Sequence, residues 1–198
     1  MASSQTTTAR RRRAAPKEQD AIAVLKHDHA TVEELFTKFE KSGPRANKTR
    51  QSLVARMVTE LSVHAAIEEA LLYPVCRQEI AGTEEEILES LEEHHVVKWL
   101  LAELDGLDPE NERFGAKVAV LTEQVRHHVH EEEAELFPVL RANLSRARLV
   151  ELGQELTNLK SKVPTHPHPR SPDTPPASLV PDVVAHVVDR ARDLLHAD

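Results

Sequence analysis

Two eleven-residue segments carry residues that can do chemistry: HAAIEEALLYP at 64–74 and HVHEEEAELFP at 128–138. Both follow one pattern, HxxxEExxL, then an aromatic residue, then proline. On a helix, positions four apart lie on one face, so His64 joins Glu68 and His128 joins Glu132. His29 precedes His64 by 35 residues and His94 precedes His128 by 34, so the chain divides into two related hairpins. Each hairpin supplies two histidines and one paired carboxylate.

The surrounding apolar spacing turns these residues inward. Ile22, Leu25, His29, Val32, Phe36 and Phe39 alternate by three and four, as in the core seam of a helical bundle. Met57, Leu61, His64, Glu68, Leu71 and Val75 do the same, as do Ile87, Leu91, His94, Val97, Leu101 and Leu104. Leu121, Val125, His128 and Glu132 repeat the second set. A carboxylate in such a core costs several kcal/mol unless it is paired or bound to a metal. A single seam histidine is most often a hydrogen-bonded core residue. Four at one level, beside two carboxylates, point instead to metal.

The candidate ligands are therefore His29, His64, Glu68, His94, His128 and Glu132. Such nitrogen and oxygen donors suit iron, manganese or zinc, whereas magnesium and calcium favour all-oxygen sites. Six donors exceed one tetrahedral zinc. Two octahedral ions sharing both carboxylates would keep positions open for a bridging oxygen and a small exogenous molecule. His95 is the alternative donor on the third helix. Asp28 is either an outer carboxylate that fixes one imidazole tautomer or a surface acid. Glu69 and Glu133, about 100° around the helix from the ligands, are expected as flanking pairs, and His27, His127 and His130 as solvated or outer groups. Trp99, Phe36, Phe39, Tyr73 and Phe137 are expected as core or helix-end packing, with walling of the pocket as the alternative for some of them. Pro74 and Pro138 should kink or tighten their helices.

Four helices must position this set, with limits near 20–41, 47–79, 83–105 and 109–143. SGPRAN, AGT and GLDP separate them. Connections this short force antiparallel neighbours, so the expected fold is all-α, an up-down-up-down four-helix bundle over residues 19–160. Residues 1–18 form a disordered basic tail. The proline-dense stretch 161–181 is an extended linker, and 182–198 a short amphipathic helix. His166 and His168 lie in the linker as alternating His-Pro.

Composition excludes several classes. The formal net charge of -8 argues against nucleic-acid binding, and the Arg10–Arg13 run sits in a tail without the apolar segment of an export signal. Cys76 is the only cysteine, so neither an internal disulfide nor a thiolate cluster can form. No stretch has the roughly 18 apolar residues of a membrane span, and a cytoplasmic location is expected. Ferritin-like oxidase sites need two ExxH pairs, and this chain has only Glu92 with His95.

Three segments together resemble the HHE signature of hemerythrin-like proteins: KHDHATVEELF with His29, the two HxxxE motifs ending in YP and FP, and EEHHVVKWLLAEL with His94. The resemblance covers about 125 of the 198 residues. It implies two non-haem iron ions held by His29, His64, Glu68, His94, His128 and Glu132, with a bridging oxygen. It also implies that the centre binds or senses dioxygen, nitric oxide or peroxide. In oxygen-carrying hemerythrins a further histidine lies one turn after the third-helix ligand, where this chain has Lys98. Their last helix separates histidine and carboxylate by five residues instead of four. These departures turn the expectation from reversible oxygen carriage towards sensing, with a peroxide-decomposing enzyme or a metal-stabilised adaptor as alternatives.

Overall fold

The structure, a computed structural model, describes residues 19–170 and Asp189. The expected basic tail at 1–18, the later linker and the rest of the C-terminal helix lie outside the described residues. The fold is all-helical, and among the described residues no strand occurs.

Helix α1 spans Ala21–Lys41 and begins where the Asp20 carboxylate accepts a hydrogen bond from the Ala23 amide. Helix α2, Asn47–Ile67, runs into a π-helical turn at Glu68–Leu72 and then into α3, Tyr73–Glu79. Helix α4 is Glu84–Leu104. Helix α5, Phe114–Glu131, is followed by a second π turn at Glu132–Leu136 and by α6, Phe137–Asn143. Gly82 and Gly106, with φ of +88° and +75°, take the left-handed conformations that end α3 and α4. Pairs α1/α2 and α4/α5 form the two hairpins, and α2 packs on α4.

Pro74 and Pro138 disturb their helices as expected, but the helix widens ahead of each proline where tightening was one of the two expected outcomes. A proline has no N–H for the carbonyl four residues back and its ring crowds that carbonyl. The chain absorbs this as a π turn, closed by the Tyr73 amide on the Glu68 carbonyl and the Phe137 amide on the Glu132 carbonyl. Each turn starts at a candidate ligand.

A fifth helix, α7 (Arg146–Leu159), was not among the expected elements. Ser145 caps it, and Leu149, Leu152 and Leu156 are buried against α1 and the first π turn. Packing continues past the expected boundary at 160, since Val163 and Thr165 are buried. Gly153 is where α7 meets the chain entering α1: a Cβ there would lie 2.5 Å from the Gln19 carbonyl oxygen. Helix propensity alone favours alanine over glycine by about 1 kcal/mol. We expect Gly153→Ala to be destabilising nonetheless, by about 2 kcal/mol, in chemical denaturation; an unchanged or higher midpoint would refute this contact.

The core consists of two apolar clusters. One holds Leu25, Ile67, Leu91, Leu136 and the α7 leucines, the other Val32, Leu61, Val97, Leu101 and Val125. Between them lies one polar layer.

Candidate metal centre

That layer consists of the six expected ligands, all buried: His29, His64, Glu68, His94, His128 and Glu132. One group of potential donors combines His29, His64, Glu68 and Glu132, and a second combines Glu68, His94 and His128. Glu68 Oε2 lies 3.3 Å from His64 Nε2 and 3.5 Å from His94 Nε2, so it faces both hairpins. Glu132 also faces both, with Oε2 3.3 Å from His29 Nε2 and Oε1 3.7 Å from His128 Nε2. His94 and His128 approach Nε2 to Nε2 at 3.1 Å.

Several of these atoms are close without hydrogen-bond geometry. His29 Nε2, His64 Nε2, both oxygens of Glu68 and Glu132 Oε2 are buried with no hydrogen-bond partner. Leaving such groups unmatched costs about 1–3 kcal/mol each. Five orphaned donor atoms turned towards one another in a buried layer are what a cation would satisfy, so the residues fit a metal.

The other ring nitrogens explain how the imidazoles are aimed. His29 Nδ1 lies 3.0 Å from Glu133 Oε1, and His94 Nδ1 lies 3.0 Å from Glu69 Oε1. His128 Nδ1 lies 2.7 Å from Glu93 Oε2, and His64 Nδ1 lies 3.5 Å from Asp28 Oδ2. His29, His94 and His128 thus meet a carboxylate at hydrogen-bond distance on the outer nitrogen, which favours Nδ1–H and leaves Nε2 as the inward lone pair, whereas the His64–Asp28 pair lacks hydrogen-bond geometry. Glu69 and Glu133 are therefore not flanking pairs: each reaches across to the histidine of the other hairpin. Asp28 and Glu93 directly precede the first histidine of each hairpin and serve the second.

Ionisation follows from burial. Burial pulls His64 down to about 4, against the opposing pull of Asp28, and pulls His94 below its ordinary value. His128 is also penalised by burial, but Glu132 and Glu93 outweigh that and raise it. Burial and the neighbouring Glu132 lift Glu68 well above the usual carboxylate range. For Glu132 the burial penalty is overcome by His128, His29 and His64, which hold it below that range. Two carboxylates and four imidazoles thus share one buried pocket, where burial works against charge on each of the shifted groups.

Tyr73, expected as packing, enters the site. Its buried hydroxyl lies 3.2 Å from His94 Nε2 and donates to Glu132 Oε1 at 3.3 Å. Its place before a proline in the repeat, where the second copy has Phe137, was the only signal. Phe137 stacks on His29 with ring centroids 5.8 Å apart. His95 faces outward, where its Nε2 accepts from Trp99 Nε1 at 3.1 Å; Trp99, 41% exposed, is not a core residue. Lys98 is directed at Glu69 Oε2, 2.6 Å away. The linker histidines lie apart from the layer: His166 pairs with Asp105 and His168 with Asp189. Cys76 is buried and its thiol is pushed up to about 12, mainly by burial.

On one side of the four imidazoles lies a cavity of about 20 Å³, walled by Val32, Leu61, Ala65, Val97, Val125 and Val129. It holds roughly one water-sized molecule. A solvent-facing groove of about 370 Å³ between α1 and α5 shares His29, Val32, Val125 and Val129 with it. Among the described residues no helix is long and apolar enough to cross a membrane.

Comparison with known proteins agrees with this geometry. The chain is 27% identical over 169 residues to an uncharacterised hemerythrin-like protein of Schizosaccharomyces pombe, covering 85% of this chain and 82% of that one. It is 31% identical over 140 residues to a protein of Nostoc sp. named DNA nickase, covering 71% of this chain but 39% of that protein. A crystal structure of a hemerythrin HHE cation binding domain-containing protein from Mycobacterium kansasii superposes with a TM-score of 0.62 at 23% identity, covering 72% of this chain and 85% of that one. The family model described as hemerythrin HHE cation binding domain matches residues 20–140. With its bundle and its buried histidine and glutamate layer in that span, the chain belongs to the hemerythrin HHE cation-binding domain family.

Proposed function

We propose that the protein is a non-haem di-iron protein that binds or senses dioxygen, nitric oxide or peroxide in the bundle core. The observation that carries this reading is the group of orphaned buried donors on His29, His64, Glu68 and Glu132, set against His94 and His128. His29 and His64 would hold one ion and His94 and His128 the other, with Glu68 and Glu132 shared, since both carboxylates face both histidine pairs. When bound, the irons supply a redox-active, Lewis-acidic centre for a small oxygen- or nitrogen-containing ligand. The protein's own part is to aim the Nε2 lone pairs of His29, His94 and His128 through their outer carboxylates and to keep bulk water out. The Val32, Leu61, Val97 and Val125 wall limits the ligand to a few atoms.

One observation favours a second reading, peroxide decomposition. The Tyr73 hydroxyl is held well above its ordinary pKa by burial and by Glu68, so it remains a proton donor inside the site. Rapid mixing of the reduced protein with oxygen, nitric oxide or peroxide tests both readings. Lys98 is bound to Glu69 and supplies no further ligand nitrogen, so we expect air to oxidise the protein within minutes. A spectrum that forms with oxygen and reverses under vacuum would contradict this and restore oxygen carriage. Sustained oxygen release from peroxide, reduced in Tyr73→Phe, would favour the enzyme.

A further inference from the structure

The four carboxylates nearest the outer nitrogens of the imidazoles differ in what stands outside them. Lys26 pairs with Glu133 at 2.6 Å, Lys98 with Glu69 at 2.6 Å, and Lys160 with Asp28. Glu93 is the exception, because its outer neighbours are an imidazole and a second carboxylate. His127 Nε2 lies 3.7 Å from Glu93 Oε1 and 3.3 Å from Glu131 Oε1. Ligand atoms of Glu93, His127 and Glu131 all fall within 4.8 Å of one another. Among the described residues, no lysine or arginine pairs with Glu93 or Glu131.

The internal repeat sharpens the contrast. His127 and Glu131 correspond to Val63 and Ile67 of the first copy. There Val63 and Ile67 belong to the cluster that includes the α7 leucines, and Lys160, just after α7, brings positive charge to Asp28. In the second copy no described helix covers the same face, and His127 has a 58% exposed side chain. Where one hairpin receives a cation from the protein, the other sets the exposed His127 imidazole against the partly exposed Glu131 and the more buried Glu93. His127 and Glu131 also repeat the four-residue spacing of the core pairs, one position out of phase.

We propose that Glu93, His127 and Glu131 form a surface site for a divalent transition-metal ion, separate from the core layer. Glu93 joins the two, since Oε1 faces His127 while Oε2 faces His128 Nδ1. An imidazole with two carboxylates and open positions suits Mn²⁺, Fe²⁺ or Zn²⁺ and discriminates against Mg²⁺ and Ca²⁺. The site stands whichever metal the core holds.

The test is titration of the full-length, metal-loaded protein with Mn²⁺, following free Mn²⁺ by electron paramagnetic resonance. We expect one further Mn²⁺ per chain, with His127→Ala and Glu131→Gln each weakening binding by about tenfold or more. His27→Ala, an exposed histidine on α1, should bind like wild type. His127 is solvent-exposed and Glu131 partly so, so the variants should fold, and circular dichroism with core metal content on the same samples checks that they do. No saturable Mn²⁺ binding in wild type, or unchanged binding in His127→Ala, would overturn the proposal.

Discussion

Alanine at Glu68 or Glu132 is expected to strip most of the metal from the purified protein, whereas His95→Ala leaves metal content unchanged. Both carboxylates lie in the layer between the two apolar clusters and each faces histidines of both hairpins. Removing either one takes a donor from both prospective ions at once. The loss in metal affinity should be about 100-fold or more, at or beyond the upper end seen for groups that only support a ligand. His95 is exposed and occupied by Trp99, so its removal touches neither ion. Metal analysis of the three variants decides this. Full occupancy in Glu68→Ala, or metal content that follows His95, would refute the ligand assignment.

The second large effect belongs to residues outside the ligand set. Glu69→Ala and Glu133→Ala should each weaken metal binding by about 10–100-fold, measured by competition with a chelator. Each carboxylate crosses to the other hairpin, Glu69 to His94 and Glu133 to His29, at 3.0 Å in both cases. Without it the imidazole is free to rotate or to place its proton on Nε2, which removes the lone pair from the layer. Each is also held by a lysine, but Glu69 is the more buried of the two, so its loss should be the more severe. Unchanged affinity in both variants would mean that the imidazoles are aimed by packing alone.

How much of this was legible in the sequence depended on periodicity. The seams of the four bundle helices place His29, His64, His94 and His128 between leucines and valines, and the structure brings all of them and both carboxylates together. Helix α7 escaped notice because its leucines fall in a short segment just before the proline-dense stretch, with a single covered face. Glu69 and Glu133 were misjudged because an angle of about 100° says what a residue turns away from on its own helix. It does not say what it meets on the next. Their partners lie 25 and 104 residues away in sequence. Tyr73 was missed for the same reason: an aromatic residue before a proline reads as packing until its hydroxyl is seen beside His94 and Glu132. The π turns arise from Pro74 and Pro138, which announce a disturbed helix but not whether it narrows or widens.

The central claim is that the buried layer holds a pair of irons, and metal analysis of protein purified without oxygen tests it most directly. Six inward donors in two overlapping groups predict about two iron ions per chain. One zinc per chain with no iron would contradict the account.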